Sequence, residues 1–215
     1  MGPEFLLDRL MLLVPLLLSL TVHEFAHAWS AWQLGDDTAA RQGRLTLNPI
    51  SHIDPIGTLL LPLLGVPFGW AKPVPINPVQ FTRKLSMRTG MMLTAAAGPI
   101  SNIVLAVLAT LTYGLLFRFS PATVSGRSAV AALLGMTIQI NIVLALFNML
   151  PVHPLDGSRV VDGLLPARMR PAWENINRFA PFLLLAVIVF GGSIIRGPRM
   201  FIDGLLRKLL LAVAL

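Results

Sequence analysis

The chain has 215 residues, of which 55% are hydrophobic and 13% are charged, and its formal net charge is +7. With a mean hydropathy of +0.73, this composition leaves too little polar surface for a soluble domain. The chain has no cysteine, which excludes disulfides and thiolate zinc sites, so any metal must be bound by His, Asp or Glu. Its lysines and arginines lie between apolar segments without interleaved aromatics, which argues against nucleic acid and indicates a lipid bilayer as the partner.

Four apolar segments approach the roughly 20 residues that cross a bilayer, so they predict about four transmembrane helices. In chain order they cover approximately residues 5–34, 87–119, 129–150 and 179–195. We therefore expect an all-α polytopic membrane protein that forms a single domain over residues 1–215.

Three shorter elements are predicted outside these spans. The stretch "GRLTLN", residues 43–48, alternates between polar and apolar residues, which favours a short strand or β-hairpin. Proline and glycine interrupt the apolar residues 56–70, which indicates a re-entrant loop, and such a loop is tolerated at membrane depth only where protein covers it or it lines a wet cavity. The C-terminal residues 200–215 predict an amphipathic helix that lies in the interface or partly spans the membrane.

The charges of the loops predict an orientation. Six basic residues lie between the first and second spans and four between the third and fourth, but only two between the second and third. The positive-inside tendency therefore places the first and third loops in the cytoplasm, although the basic C-terminal segment fits this arrangement less well.

The stretch "HEFAH" lies in the first predicted span and has the pattern of half a zinc site. His23 and His27 are four residues apart, so both imidazoles project from one helix face and can reach one ion. Glu24 is displaced around the helix and can approach a zinc-activated water as a general base. Ionisable residues inside an apolar helix are costly, which favours function over chance or interhelical packing.

A hydrolytic zinc site needs a third protein ligand and an open fourth position. The candidates are His52, His153 and the acidic residues, and Asp156 is the best of them. It follows a span-length helix at a point where prolines interrupt the chain and Gly157 permits a tight turn. Spacing alone leaves the roles of zinc ligand and helix-capping aspartate about equal for this residue.

Three motifs in order resemble the site-2 protease family of intramembrane zinc metalloproteases, in its compact bacterial form. They are "HEFAHAW" in the first predicted span, "AGPISN" in the second and "NMLPVHPLDG" at the end of the third. The resemblance covers about residues 20–160. It implies that His23, His27 and Asp156 bind one zinc ion per chain and that Glu24 is the catalytic base.

The same resemblance implies regulated intramembrane proteolysis, with transmembrane proteins as substrates. It indicates a multi-pass protein of the bacterial inner membrane whose active site lies toward the cytoplasmic side. The catalytic core would occupy about residues 5–165, and residues 166–215 would form the fourth span and the tail. Substrate selection would come from the helices, the re-entrant loop, an adaptor protein or a homo-oligomer.

Four further polar residues are candidates for supporting roles. Asn102 and Asn148 match asparagines of the family motifs, and their amides could bind an oxyanion or an unwound substrate, or could equally form interhelical hydrogen bonds. His52 and His153 could line or gate the site near the metal. Alternatively, His52 forms a hydrogen bond within its loop and His153 faces the cytoplasm.

The leading hypothesis is an intramembrane zinc endopeptidase that cleaves peptide bonds in or near transmembrane segments. A zinc transporter or channel that uses the histidines as a transit site is the main alternative. A catalytically silent relative that only binds membrane helices is a third, and the intact His–Glu–His–Asp set argues against it. Glu24→Gln separates the first two hypotheses, because a transporter needs no general base.

Overall fold

The structure is a computed structural model that describes residues 3–66, 69–82, 84–125 and 128–215. Ten α-helices and no strand are present in these residues. In chain order the helices are α1 (Pro3–Gln33), α2 (Thr38–Arg41), α3 (Leu61–Leu63), α4 (Met87–Phe119), α5 (Pro121–Val124), α6 (Ala129–Asn148), α7 (Asp156–Leu164), α8 (Arg170–Asn177), α9 (Ala180–Ile194) and α10 (Arg196–Ala214). The prediction of an all-α fold is confirmed.

Three helices are long and apolar enough to cross a membrane, namely α1 from Arg9 onward, α4 and α6. A fourth span arises if residues 167–177 and α9, which meet at a bend of 73°, are counted as one broken span. At 1.5 Å per residue, the 15 residues of α9 extend only about 22 Å, which is shorter than a hydrocarbon core of about 30 Å. The described residues therefore contain three or up to four candidate spans, as expected of a polytopic integral membrane protein.

Helix α4 is the centre of the bundle, and α1, α6, α7 and α10 all pack against it. Its buried positions are mostly small residues, including Gly90, Ala95, Gly98 and Ala106. Small side chains let helix backbones approach closely, which is how helices gain dispersion contacts in lipid. The close approach of α1 to α4 positions the two histidines of α1.

The prediction of a strand or hairpin at residues 43–48 is wrong, because these residues form bends without strand pairing. Their backbone groups are satisfied locally. The amide of Arg44 donates to the carbonyl of Ala39 at 2.8 Å, and the carbonyl of Thr46 lies 2.8 Å from the ring nitrogen Nε2 of His52. A local turn and a side chain thus replace the ladder that the alternating pattern suggested.

The predicted re-entrant segment folds back on itself, although its residues 67 and 68 lie outside the described part. A π-helical turn (Pro55–Leu60) leads into α3, and Asp54 caps it by accepting hydrogen bonds from two backbone amides. The returning chain contacts this turn where the amide of Trp70 donates to the carbonyl of Gly57 at 3.3 Å. A side chain at Gly57 would overlap the indole ring of Trp70, so glycine permits this contact.

The C-terminal segment forms α10, which packs one face on α4 and α6 and leaves Met200 and Phe201 exposed. Its polar contact to the bundle is with Gln139 of α6, which donates to Asp203 at 3.0 Å and accepts from Arg199 at 2.6 Å. This helix is the predicted amphipathic element.

Candidate active site

Both histidines of α1 point toward α4. His23 and His27 are 5% and 7% exposed, and their Nε2 atoms lie 3.0 Å apart. Gly98 of α4 lies directly opposite, and a Cβ atom added there would lie 2.5 Å from Nε2 of His27 and 2.6 Å from Cε1 of His23. The glycine in "AGPISN" therefore gives the two imidazole rings their space.

Asp156 is the first residue of α7 and completes the group. Its Oδ2 atom lies 3.2 Å from Nε2 of His23 and 3.3 Å from Nε2 of His27. The turn from α6 into α7 brings the carboxylate back over the histidines, and it requires Gly157, because a Cβ atom there would overlap the carbonyl of Met149. The structure thus brings together the three residues that the sequence resemblance implies as ligands.

Hydrogen bonds on the far side of each ring determine which nitrogen carries the proton. Nδ1 of His23 lies 2.6 Å from Oδ1 of Asn102, and Nδ1 of His27 lies 2.7 Å from the carbonyl oxygen of Thr94. Both oxygens can only accept, so each Nδ1 is the donor. Each Nε2 therefore presents a lone pair toward the carboxylate of Asp156.

Nε2 of His23, Nε2 of His27 and Oδ2 of Asp156 converge on one point, and none of the three carries a proton. This arrangement fits a bound cation. Oδ2 of Asp156 is buried and has no hydrogen-bond donor among the described residues. A tetrahedral zinc ion about 2.0–2.1 Å from each ligand requires ligand atoms about 3.3–3.4 Å apart. The separations of 3.0, 3.2 and 3.3 Å are within about 0.3 Å of this requirement. No second group of this kind occurs in the part of the chain that the structure describes.

A buried polar network supports the first histidine from behind. The amide of Asn102 donates to Oδ1 of Asn141 at 2.7 Å, and the amide of Asn141 donates to the hydroxyl of Ser19 at 2.7 Å. All three side chains are 0% exposed. The geometry supports the interhelical alternative for Asn102, which orients the ring of His23. Sequence reasoning missed Ser19 and Asn141, although an asparagine within the apolar helix α6 was an available signal.

Glu24 lines the same cavity as the three converging atoms and is half-buried. Its Oε2 atom accepts a hydrogen bond from the backbone amide of Val74 at 2.9 Å. Val74 lies in the segment that returns from the re-entrant turn. In the same segment, the backbone amide of Asn77 donates to Oδ2 of Asp36, just after the C-terminal end of α1, at 2.6 Å. No side-chain pattern could have indicated this backbone contact to Glu24.

A cavity of about 780 Å³ contains the site, and His23, Glu24, His27 and Asp156 all line it. Asn148 also lines this cavity, while its amide donates to the carbonyl of Leu144 at 3.0 Å.

Two other predicted residues, His52 and His153, are not among the described residues that line the cavity. His52 is buried and bonded within its loop, and His153 is exposed in the turn before α7.

Membrane-length helices carry a His–His–Asp group that could hold a metal ion, and a glutamate lines the same cavity, which is the arrangement expected of a membrane-embedded zinc metalloprotease. A model of peptidase family M50 matches residues 69–191, which include Asp156. The chain belongs to this family, the site-2 protease family.

Two relatives that are named as putative zinc metalloproteases support this family membership. The chain is 40% identical over 187 residues to the "Putative zinc metalloprotease YwhC" of Bacillus subtilis (strain 168), a match that covers 86% of this chain and 83% of that protein. It is 31% identical over 173 residues to the "Putative zinc metalloprotease Rip2" of Mycobacterium tuberculosis (strain ATCC 25618 / H37Rv), which covers 80% of this chain and 64% of that protein. No solved structure matches the chain.

Proposed function

We propose that this zinc metalloprotease is an intramembrane endopeptidase that cleaves peptide bonds in or near the transmembrane segments of other membrane proteins. In this proposal His23, His27 and Asp156 bind the zinc ion and Glu24 is the general base. The observation that carries the proposal is the position of these residues in a cavity that the spanning helices themselves line.

The remainder of the cavity lining supports a membrane substrate. Beyond the ligands, the walls are largely apolar and include Leu12 and Leu16 of α1, Val143 of α6 and Leu184 of α9. An apolar channel of this kind complements the side chains of a transmembrane segment better than those of a soluble loop. A substrate helix must unwind there, because its carbonyls otherwise bond within the helix, and a polar site reduces the cost of exposing them.

The depth of the site is consistent with this role. His27 lies six residues before Gln33, the end of α1, which at 1.5 Å per residue is about 9 Å from that end. His23 and His27 are therefore within the membrane-length helix α1, in the half nearer to its C-terminal end. We propose that this end faces the cytoplasm of a bacterial cell and that water enters from that side, as the basic loops indicate.

Bound zinc would act as a Lewis acid that lowers the pKa of water to about 7 and polarises a carbonyl group. Glu24 accepts the proton of the attacking water as the new C–O bond forms at the scissile carbonyl carbon. The same carboxyl then donates this proton to the amide nitrogen as the C–N bond breaks. The amide of Val74 holds Oε2 of Glu24, which orients the carboxylate and leaves Oε1 for proton transfer.

Asn148 has a substrate-binding role in this proposal. Asn148 lines the cavity and offers an amide to the unwound backbone or to the oxyanion of the substrate. Adaptor proteins or a second copy of the chain would add selectivity outside the cavity.

Metal analysis combined with a cleavage assay tests the proposal. The purified protein, in detergent or in vesicles, is offered a panel of single-span membrane proteins, and wild type is compared with Glu24→Gln. We expect one zinc per chain in both proteins and cleavage by wild type alone, because the amide cannot accept the proton. Zinc transport into vesicles that persists in Glu24→Gln, without cleavage by wild type, would instead establish the transporter alternative.

A further inference from the structure

One cationic side chain of the catalytic cavity has no part in the mechanism above. Arg159 lines the cavity together with Asp156 and follows it by three residues on α7. Residues three apart on a helix lie on the same face, so the arginine and the ligand project toward the same space. Arg159 therefore lies in the wall of the cavity that contains the His–His–Asp group.

Packing at neighbouring positions of α7 holds the backbone that carries Arg159 in place. Ser158 is 2% exposed, and Gly163 packs against Met92 of α4, where an added Cβ would lie 2.5 Å from the Cβ of Met92. Arg159 itself is exposed. A fixed backbone with a free side chain is suited to ligand binding, because the helix contacts determine where the long side chain can reach.

The guanidinium of Arg159 forms no hydrogen bond or ion pair with any residue that the structure describes. Other arginines have partners, as Arg88 does with Asp162 at 3.2 Å. The acidic groups of the cavity are already engaged, since Glu24 accepts from a backbone amide and Asp156 faces the histidines. Arg159 therefore presents its five N–H donors to whatever enters the cavity.

We propose that Arg159 is a specificity-determining residue that pairs with an acidic side chain of the substrate close to the scissile bond. This inference rests on the proposed function, since it assigns the substrate class of the same site. A guanidinium group binds a carboxylate through two parallel hydrogen bonds, and it repels a lysine or an arginine at the same position. Location in the cavity distinguishes this residue from an ordinary solvated interfacial arginine.

This pairing makes cleavage depend on the charges that flank the scissile bond of a transmembrane segment. The cytoplasmic ends of transmembrane helices are enriched in lysine and arginine. With the site facing the cytoplasm, Arg159 disfavours these common flanks and selects the less common segments that carry Asp or Glu next to the cleavage position. At about fivefold per exchange of charge, the contact lowers the cleavage of segments with basic flanks relative to segments with acidic flanks.

Charge reversal on both sides of the pair tests the inference. A single-span substrate that wild type cleaves is mapped by mass spectrometry, and Glu, Gln or Lys is then placed at each of the positions flanking the cleaved bond. At one of these positions we expect wild type to cleave the Glu form about fivefold faster than the Lys form, in kcat/KM, as for a solvent-accessible ion pair. Arg159→Glu should reverse this order, and Arg159→Lys should preserve it.

Arg168→Glu is the matched control, because Arg168 is also exposed and basic in the same inter-span segment but does not line the cavity. It should keep the wild-type order. The inference is overturned if Arg159→Glu retains the wild-type preference at every position, or if Arg168→Glu reverses it equally. A wild-type protein that cleaves no membrane protein would refute the proposed function itself, whereas cleavage without any charge preference refutes only the role of Arg159.

Discussion

Replacing Gly98 by alanine tests whether the approach of α4 to the histidines positions the metal ligands. The new methyl group would lie 2.5 Å from Nε2 of His27, whereas ordinary van der Waals contact begins at 3.4 Å. The ring or the helix must therefore move by about 0.9 Å, the difference between these two distances. Metal sites accept ligand displacements of only about 0.2 Å, so zinc coordination changes if the ring is the group that moves.

The magnitude follows from the cost of overpacking. Inserting a methyl group into a closely packed site costs about 1–3 kcal/mol. If the protein relieves the overlap by displacing the imidazole rings, this energy is taken from zinc binding. At 1.4 kcal/mol per tenfold change, we expect zinc affinity to fall by about 5- to 150-fold.

Competition with a zinc chelator measures this affinity on protein whose helical content is verified by circular dichroism. Gly135→Ala is the matched control, because Gly135 lies in the spanning helix α6 and an added Cβ would meet nothing within 4 Å. It should retain wild-type affinity, since alanine is the better helix former. Wild-type zinc affinity in Gly98→Ala would refute the packing argument.

Two further predictions concern the support of the site and its stability. Asn102→Leu removes the acceptor at Nδ1 of His23, and loss of such an outer contact should weaken zinc binding about 10- to 100-fold in the same chelator assay. An unchanged affinity would show that the ring needs no such partner. Chelation should lower the midpoint of thermal unfolding, since zinc at 100 times its Kd stabilises the folded state by about 2.7 kcal/mol. The midpoint of Asp156→Asn should respond much less to the chelator, and an equal response would argue against Asp156 as a ligand.

Local sequence patterns were sufficient to predict the features that depend only on residues close together in the chain. The lengths of the apolar segments predict the spans because a bilayer has a fixed thickness and a helix a fixed rise. The four-residue spacing of His23 and His27 places both rings on one face of α1 wherever that helix packs. These inferences needed no knowledge of the other helices.

The alternating pattern at residues 43–48 shows where such reasoning fails. A strand needs a partner that supplies hydrogen bonds, and here His52 and a local turn supply them instead. Asn102 is a related case, since its sequence position was equally compatible with contact to substrate or to another helix. Its contacts to His23 and Asn141 depend on how α1, α4 and α6 pack together.

The sequence alone thus determined the class of chemistry, because a His–Glu–x–x–His helix without cysteine in an apolar chain leaves few other uses for a metal. It left open whether Asp156 caps a helix or meets the histidines, and it gave no sign that the amide of Val74 holds Glu24. Tertiary packing settled both points of geometry, through Gly157 in the first turn of α7 and the return of the re-entrant segment. The physical reason is the separation of the residues along the chain. Helical periodicity relates residues within one helix, whereas these contacts join residues that are 50 or more positions apart.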